Sequence, residues 1–144
     1  MKYLMIVALL CSTVFAADVT LQVGDQWIMT DLTFDVGPNI DVGATVGVDY
    51  FLDRSSVFGD LDIDVGDTYV GPLLRVHLLP DASPVDLYAA YKPVMRVDDD
   101  NINNILEAGL MVPVCERVSY GLSYQFCDNF KEDDCLMAAM QVKF

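Results

Sequence analysis

From residue 18 onward, apolar and polar residues alternate one by one, the period of a β-strand with a single apolar face. The segment 118–126 is the clearest. Val118, Tyr120, Leu122, Tyr124 and Phe126 share one face, and Ser119, Gly121, Ser123 and Gln125 the other. The same period runs through 28–36, 41–51, 69–79, 85–97, 106–112 and 136–144, with a weaker instance at 19–23. The pattern predicts eight strands and no helix.

The connections differ in kind. GPN at 37–39, PDASP at 80–84 and the turn from Pro113 to Arg117 are short, and each contains proline. The loops at 54–67, 98–103 and 127–135 are acidic and mostly longer, while the link near Asp25 to Trp27 is too short to classify. An even number of strands, with tight turns at one end and charged loops at the other, describes an antiparallel up-and-down barrel of the bacterial outer-membrane type. Most of the strands approach the 9–11 residues needed to cross a bilayer at a tilt.

Alternation alone does not say which face is outside; the polar face decides. It is rich in small residues, Gly43, Thr45, Gly47, Gly109, Ser119, Gly121, Ser123 and Ala139. Such residues suit a crowded interior, because eight strands leave room only for side chains. On a soluble exterior, glycine would weaken the strands for no return. The large apolar residues then face lipid. Trp27, Tyr50, Phe51 and Phe126 are predicted to form an aromatic girdle near the acidic loops, and Phe34, Tyr120 and Phe144 one near the short turns.

Composition agrees with two segregated surfaces. The formal charge is −14, from 22 acidic residues against 8 basic ones, yet 53% of the chain is hydrophobic and the mean hydropathy is +0.35. That hydrophobicity excludes a disordered acidic tail, and the charge argues against nucleic acid as a partner. The opening MKYLMIVALLCSTVFA has a basic residue, a short apolar run and a small-residue cleavage pattern, with Val14 and Ala16 at the −3 and −1 positions. It predicts a secretory signal peptide over 1–16, with Cys11 discarded, and a barrel domain over 17–144. After export a disulfide becomes feasible. A Cys127–Cys135 bridge would clamp the base of a hairpin loop, stabilising by roughly 2–3 kcal/mol; the alternative is two thiols. Cys115 has no evident partner.

The chain resembles the small OmpA/OmpX-type outer-membrane barrels over its whole mature length. The most specific motif is the final strand LMAAMQVKF, which ends in Phe144 with Val142 and Met140 at alternate positions before it. In that superfamily such a strand implies recognition by the barrel-assembly machinery and residence in the outer membrane of a Gram-negative-type bacterium. The match is to the superfamily pattern rather than to a subfamily, and the modest loops depart from its long-loop members.

With the polar face inside, Arg75, Lys92, Arg96 and Lys143 enter the lumen together with Asp31, Asp35, Asp49, Asp86 and Glu107. Charges in so narrow a space must pair or cost several kcal/mol each. Glu107 is expected beside Arg96 or Lys92 on the adjacent strand, with Arg75 reaching across. Two outcomes are open: an ion-pair network that plugs the barrel, which is the expectation, or a narrow gated pore. Some barrels of this class, the lipid A palmitoyltransferase and deacylase families, are enzymes that need histidine, serine and a carboxylate to converge. The sole histidine, His77, lies towards the short turns, away from outer-leaflet lipid; no catalysis and no cofactor are expected.

Asp60, Asp62 and Asp64, with Asp98, Asp99 and Asp100, offer oxygen ligands for weak divalent-cation binding, although no EF-hand spacing is present. The loops at 53–67, 98–104 and 127–135 are where a monomeric barrel would meet lipopolysaccharide, host factors or phage.

Overall fold

The computed structural model describes residues 17–25, 27–53, 62–80, 82–99, 101–128 and 134–144; for 51–53 and 62–64 it describes the backbone alone. The expected leader, 1–16, lies outside the described residues. The strands are β1 (Asp18–Val23), β2 (Trp27–Gly37), β3 (Ile40–Asp53), β4 (Asp62–His77), β5 (Asp86–Arg96), β6 (Ile102–Pro113), β7 (Val118–Asp128) and β8 (Cys135–Lys143). Each pairs antiparallel with its neighbour in sequence, and β8 closes on β1, so the sheet is a barrel with no free edge. Among the described residues no helix is long and apolar enough to cross a membrane.

The alternation read from sequence becomes an inside and an outside. Along β7, Ser119, Ser123 and Gln125 are buried in the lumen, while Tyr120, Leu122 and Phe126 are about half exposed on the outer wall. The β2–β3 connection is a tight turn on Pro38 and Asn39, and Asn39 takes φ 66°. Proline followed by asparagine with positive φ is the signature of a type II turn.

Three features differ from the sequence-based expectation. Strand β4 begins at Asp62, inside the segment read as an acidic loop, and pairs with β3 out to Asp53↔Asp62. Its neighbour β5 pairs only from Tyr69↔Arg96 onward, so this part of the β3–β4 hairpin extends beyond the rim. The second difference is Trp27, which is 2% exposed and points into the lumen rather than joining a lipid-facing girdle. It stacks against Tyr69, with ring centroids 4.8 Å apart, inside a cluster with Met29, Val94, Ile105, Cys135 and Met137. The lumen therefore holds an apolar plug on its loop side, not small residues and charges alone. Of the other expected girdle residues, Phe126, Tyr120 and Phe144 are exposed, and Phe34 and Tyr50 are partly buried; the side chain of Phe51 lies outside the described residues.

The third difference is a gap in the β4–β5 ladder, between Val70↔Met95 and Leu74↔Tyr91. Continuing that register places Pro72 opposite Pro93. Neither residue has a backbone N–H to donate. The missing rungs are those that the two absent donors would have made, so the gap is written in the sequence at two positions on different strands.

Candidate functional site

The centre of the lumen is a closed network of charges. Asp31 on β2 accepts from Arg75 on β4 at 3.1 Å and from Lys92 on β5 at 2.7 Å. Lys92 also pairs with Glu107 on β6 at 2.5 Å and donates to Gln22 Oε1 at 2.9 Å. Glu107 accepts from the Tyr88 hydroxyl at 2.6 Å, from Gln125 Nε2 at 3.0 Å and from Gln22 Nε2. Arg75 completes its contacts with Thr20 Oγ1 at 3.3 Å and with the Tyr88 ring, 4.6 Å from guanidinium to centroid. All four charged residues are at most 3% exposed. Two carboxylates face two cations, so the cluster is neutral, and most of its lone pairs and protons are used. Asp31 Oδ1 and Arg75 Nε have no hydrogen-bond partner among the described residues.

The sheet brings these side chains together by register. Glu107 lies opposite Ala90, one inward step from Lys92, and Tyr88 lies opposite Gly109. A Cβ at Gly109 would overlap the Tyr88 ring. The glycine is the space into which that ring lies, which brings its hydroxyl to Glu107. Towards the short turns, Leu73, Tyr88, Ala90, Met111 and Ala139 form a second apolar cluster. The charges are thus enclosed between two apolar layers.

Of the expected lumen residues, Asp31, Arg75, Lys92 and Glu107 meet, and the rest lie elsewhere. Arg96 is at the loop-side rim, pairing with Asp67 at 2.8 Å and Asp99 at 3.6 Å, with its side chain 39% exposed. Lys143 is more than half exposed, 4.0 Å from Asp18. Asp86 belongs to a separate cluster at the short-turn end. There it accepts from His77 Nδ1 at 2.8 Å, while Asp41 meets His77 Nε2 at 2.8 Å. Both imidazole nitrogens are engaged by carboxylates, so none is left to take a proton from a serine hydroxyl. Ser123 is buried against the network, within 3.4 Å of Gln22. Asp35 is exposed and accepts from the Gly37 N–H at 3.0 Å. Asp49 is buried on the loop side, where its Oδ1 has no partner among the described residues.

The expected Cys127–Cys135 bridge is not formed; the structure records both as thiols. Cys135 lies opposite Gln125, so Cys127 sits diagonally from it rather than across. The Cys135 thiol instead lies 3.1 Å from Asp25 Oδ1. Of the acidic residues considered for a divalent cation, Asp60 and Asp100 lie outside the described residues, and for Asp62 and Asp64 only the backbone is described. Asp99 is engaged by Arg96 and by Asn101 at 2.7 Å, and Asp98 is exposed. Among the described residues, no group of three or more His, Cys, Asp or Glu is arranged to hold a metal ion. On β8, Met140 and Val142 face outward opposite Tyr120 and Val118, and Phe144 follows at 68% exposure.

Fold and lumen together define a closed, eight-stranded, all-antiparallel barrel with an apolar outer wall and a charge-paired interior. No protein-family model matches the chain, and no curated protein matches it by sequence. Solved structures do. A de novo designed barrel, TMB2.3, known from a solution NMR structure, is similar with a TM-score of 0.63 at 17% identity, covering 90% of this chain and 94% of that one. A second designed transmembrane β-barrel gives 0.59 at 13% identity, covering 90% and 95%. The N-terminal β-barrel domain of Pseudomonas aeruginosa OprF gives 0.57 at 8% identity, covering 90% and 96%. At such identities the likeness is one of fold alone, that of a closed, eight-stranded antiparallel barrel.

Proposed function

We propose that the chain is an integral outer-membrane barrel with a sealed lumen, acting structurally or through surface contacts made by its acidic loops. The observation that carries this is the inversion of polarity across the wall. Ile28, Val42, Val70, Leu74, Leu87, Tyr91, Met95, Leu106, Leu110, Leu122 and Leu136 are all at least 38% exposed on the outside, while Arg75, Lys92, Asp31 and Glu107 are buried inside. An apolar belt on that scale has no place in water, and in lipid a closed barrel leaves no open sheet edge. The barrel's likeness to transmembrane designs and to the OprF domain supports the same reading.

The leader over 1–16 would export the chain, and the Met140–Val142–Phe144 pattern would present it to the barrel-assembly machinery. Its loops at 53–67, 98–104 and 127–135 would meet lipopolysaccharide, host factors or phage. The barrel works as a monomer, without enzymatic activity or cofactor. His77, held on both ring nitrogens by carboxylates, supports that view.

The seal has a direct test. Purified barrel in planar bilayers is expected to pass no steady current, because the charge network lies between two apolar layers. Reproducible unitary steps from the wild-type chain would instead establish a narrow pore lined by those charges.

A further inference from the structure

The apolar layer on the loop side of the lumen is rich in sulfur. Among the described residues, Met29, Cys135 and Met137 are buried there around Trp27, and Cys127 packs against them from the neighbouring strand. Sealing the lumen does not call for sulfur, since leucine fills such a layer as well as methionine does. Cys135 and Met137 stand two residues apart on the inner face of β8, a spacing of about 6.6 Å along a strand. Their side chains nonetheless lean together, with Cys135 Sγ 3.4 Å from Met137 Sδ. A Cβ on Gly24 would overlap both sulfurs. The two sulfurs therefore converge on one spot beneath the β1–β2 connection.

A second observation concerns the thiol proton. Cys135 Sγ also lies 3.1 Å from Asp25 Oδ1, and Asp25 is exposed at the loop-side rim. A cysteine binds metal as its thiolate, and here a carboxylate is placed to pass the proton to water. The same carboxylate marks a route from the acidic rim, where cations concentrate, to a thiol on a residue only 3% exposed.

The donor set selects the ion. Thiolate and thioether are soft ligands and favour Cu(I). Two sulfurs 3.4 Å apart can share one ion at metal–sulfur distances of about 2.3 Å. Zn²⁺ takes four thiolate, imidazole or carboxylate ligands, and no three such groups gather among the described residues. Charge points the same way. A monovalent ion on one thiolate is neutral, so the apolar layer carries no net buried charge.

We propose that Cys135 and Met137 bind one soft monovalent metal ion, Cu(I), at the loop-side end of the lumen. On binding, the Cys135 S–H bond breaks, its proton leaves through Asp25 to water, and a sulfur–metal bond forms. Met137 donates a sulfur lone pair, and no oxidation state changes. The site lies outside the charge network and is additional to the barrel's structural and surface role.

The test is anaerobic competition for Cu(I) between the coloured chelator bicinchoninate and the folded, reduced, tag-free protein in non-ionic detergent. The protein is expected to withdraw one equivalent of Cu(I). The single tryptophan, Trp27 in the same layer, should lose fluorescence in step. Zn²⁺ and Mg²⁺ should not quench it. Met137→Leu nearly conserves side-chain volume, and is expected to bind at least about tenfold more weakly. Cys135→Ala should abolish binding. Cys115→Ser, which removes the exposed thiol of the short turn, should leave affinity and quenching unchanged. Gel mobility before and after boiling establishes that each variant is folded. No withdrawal of copper, full affinity in folded Met137→Leu, or loss of binding in Cys115→Ser would overturn the proposal.

Discussion

Replacing Asp31 with alanine is expected to destabilise the folded barrel by about 3–5 kcal/mol, the cost of removing one partner from a buried ion pair. Asp31 is fully buried and accepts from both Arg75 and Lys92. Without it, two buried cations share only Glu107, and Arg75 keeps only the Thr20 hydroxyl and the Tyr88 ring. The loss follows from the uncompensated charge, so it is not a measure of how much the network stabilises the fold. Removing Lys92 in the same molecule, as Asp31→Ala with Lys92→Met, leaves Arg75 and Glu107 in balance. That double variant should recover at least about 1 kcal/mol relative to additivity. Urea-induced unfolding read by tryptophan fluorescence measures both. The chain has a single tryptophan, Trp27, in the apolar layer above the network. A loss below about 1 kcal/mol, typical of an exposed pair, would mean that water reaches these charges.

The second large effect is expected on the outer wall. Leu122 lies near the middle of β7, 56% exposed, between Leu110 and Ala138 on the flanking strands. An arginine at the bilayer midplane of a membrane barrel costs about 2–4 kcal/mol, falling to about 0–1 near the interfaces. Leu122→Arg should therefore destabilise the barrel in lipid vesicles by about 2–4 kcal/mol. Val114→Arg, in the short turn and 67% exposed, should cost about 1 kcal/mol or less. In a water-soluble barrel both positions would be ordinary surface sites, and both substitutions would fall within about 0.5 kcal/mol of neutral. The difference between two well-exposed positions is what a bilayer imposes and water does not.

The strands and their faces are legible in the sequence because a period of two is a strong local signal, and one parity assignment per strand places every side chain. That suffices to put Asp31, Arg75, Lys92 and Glu107 in the lumen. It does not suffice to say which of them meet, because partners are set by the stagger of the strands. Glu107 lies level with Ala90, and Arg96 is six residues further along β5, roughly 20 Å away at about 3.3 Å per residue. Lys92 is the cation within reach. The pairing of His77 with Asp41 and Asp86 is hidden for the same reason, since three strands must be in register before those groups touch.

Trp27 departs from expectation by a different route. The tendency of aromatics to sit at membrane interfaces points it outward, whereas its parity with Met29, Asp31 and Thr33, all of which are buried, points it inward. Parity is the stronger constraint, because shifting one residue to the other face requires a bulge. The start of β4 is masked by composition: Asp62 and Asp64 have the character of loop residues, yet backbone pairing with Asp53 and Phe51 continues past the rim. The proline pair is the converse case. Pro72 and Pro93 are plain in the sequence of neighbouring strands, but only the register shows that they are opposed.

The central claim is that the apolar wall faces lipid, and the mobility of the protein on a denaturing gel, before and after boiling, tests it most directly. Extracted from membranes with detergent, the folded barrel is expected to resist denaturation when unheated and to migrate at a different position from the boiled chain. Recovery in the soluble fraction without detergent, with one mobility under both conditions, would contradict the account.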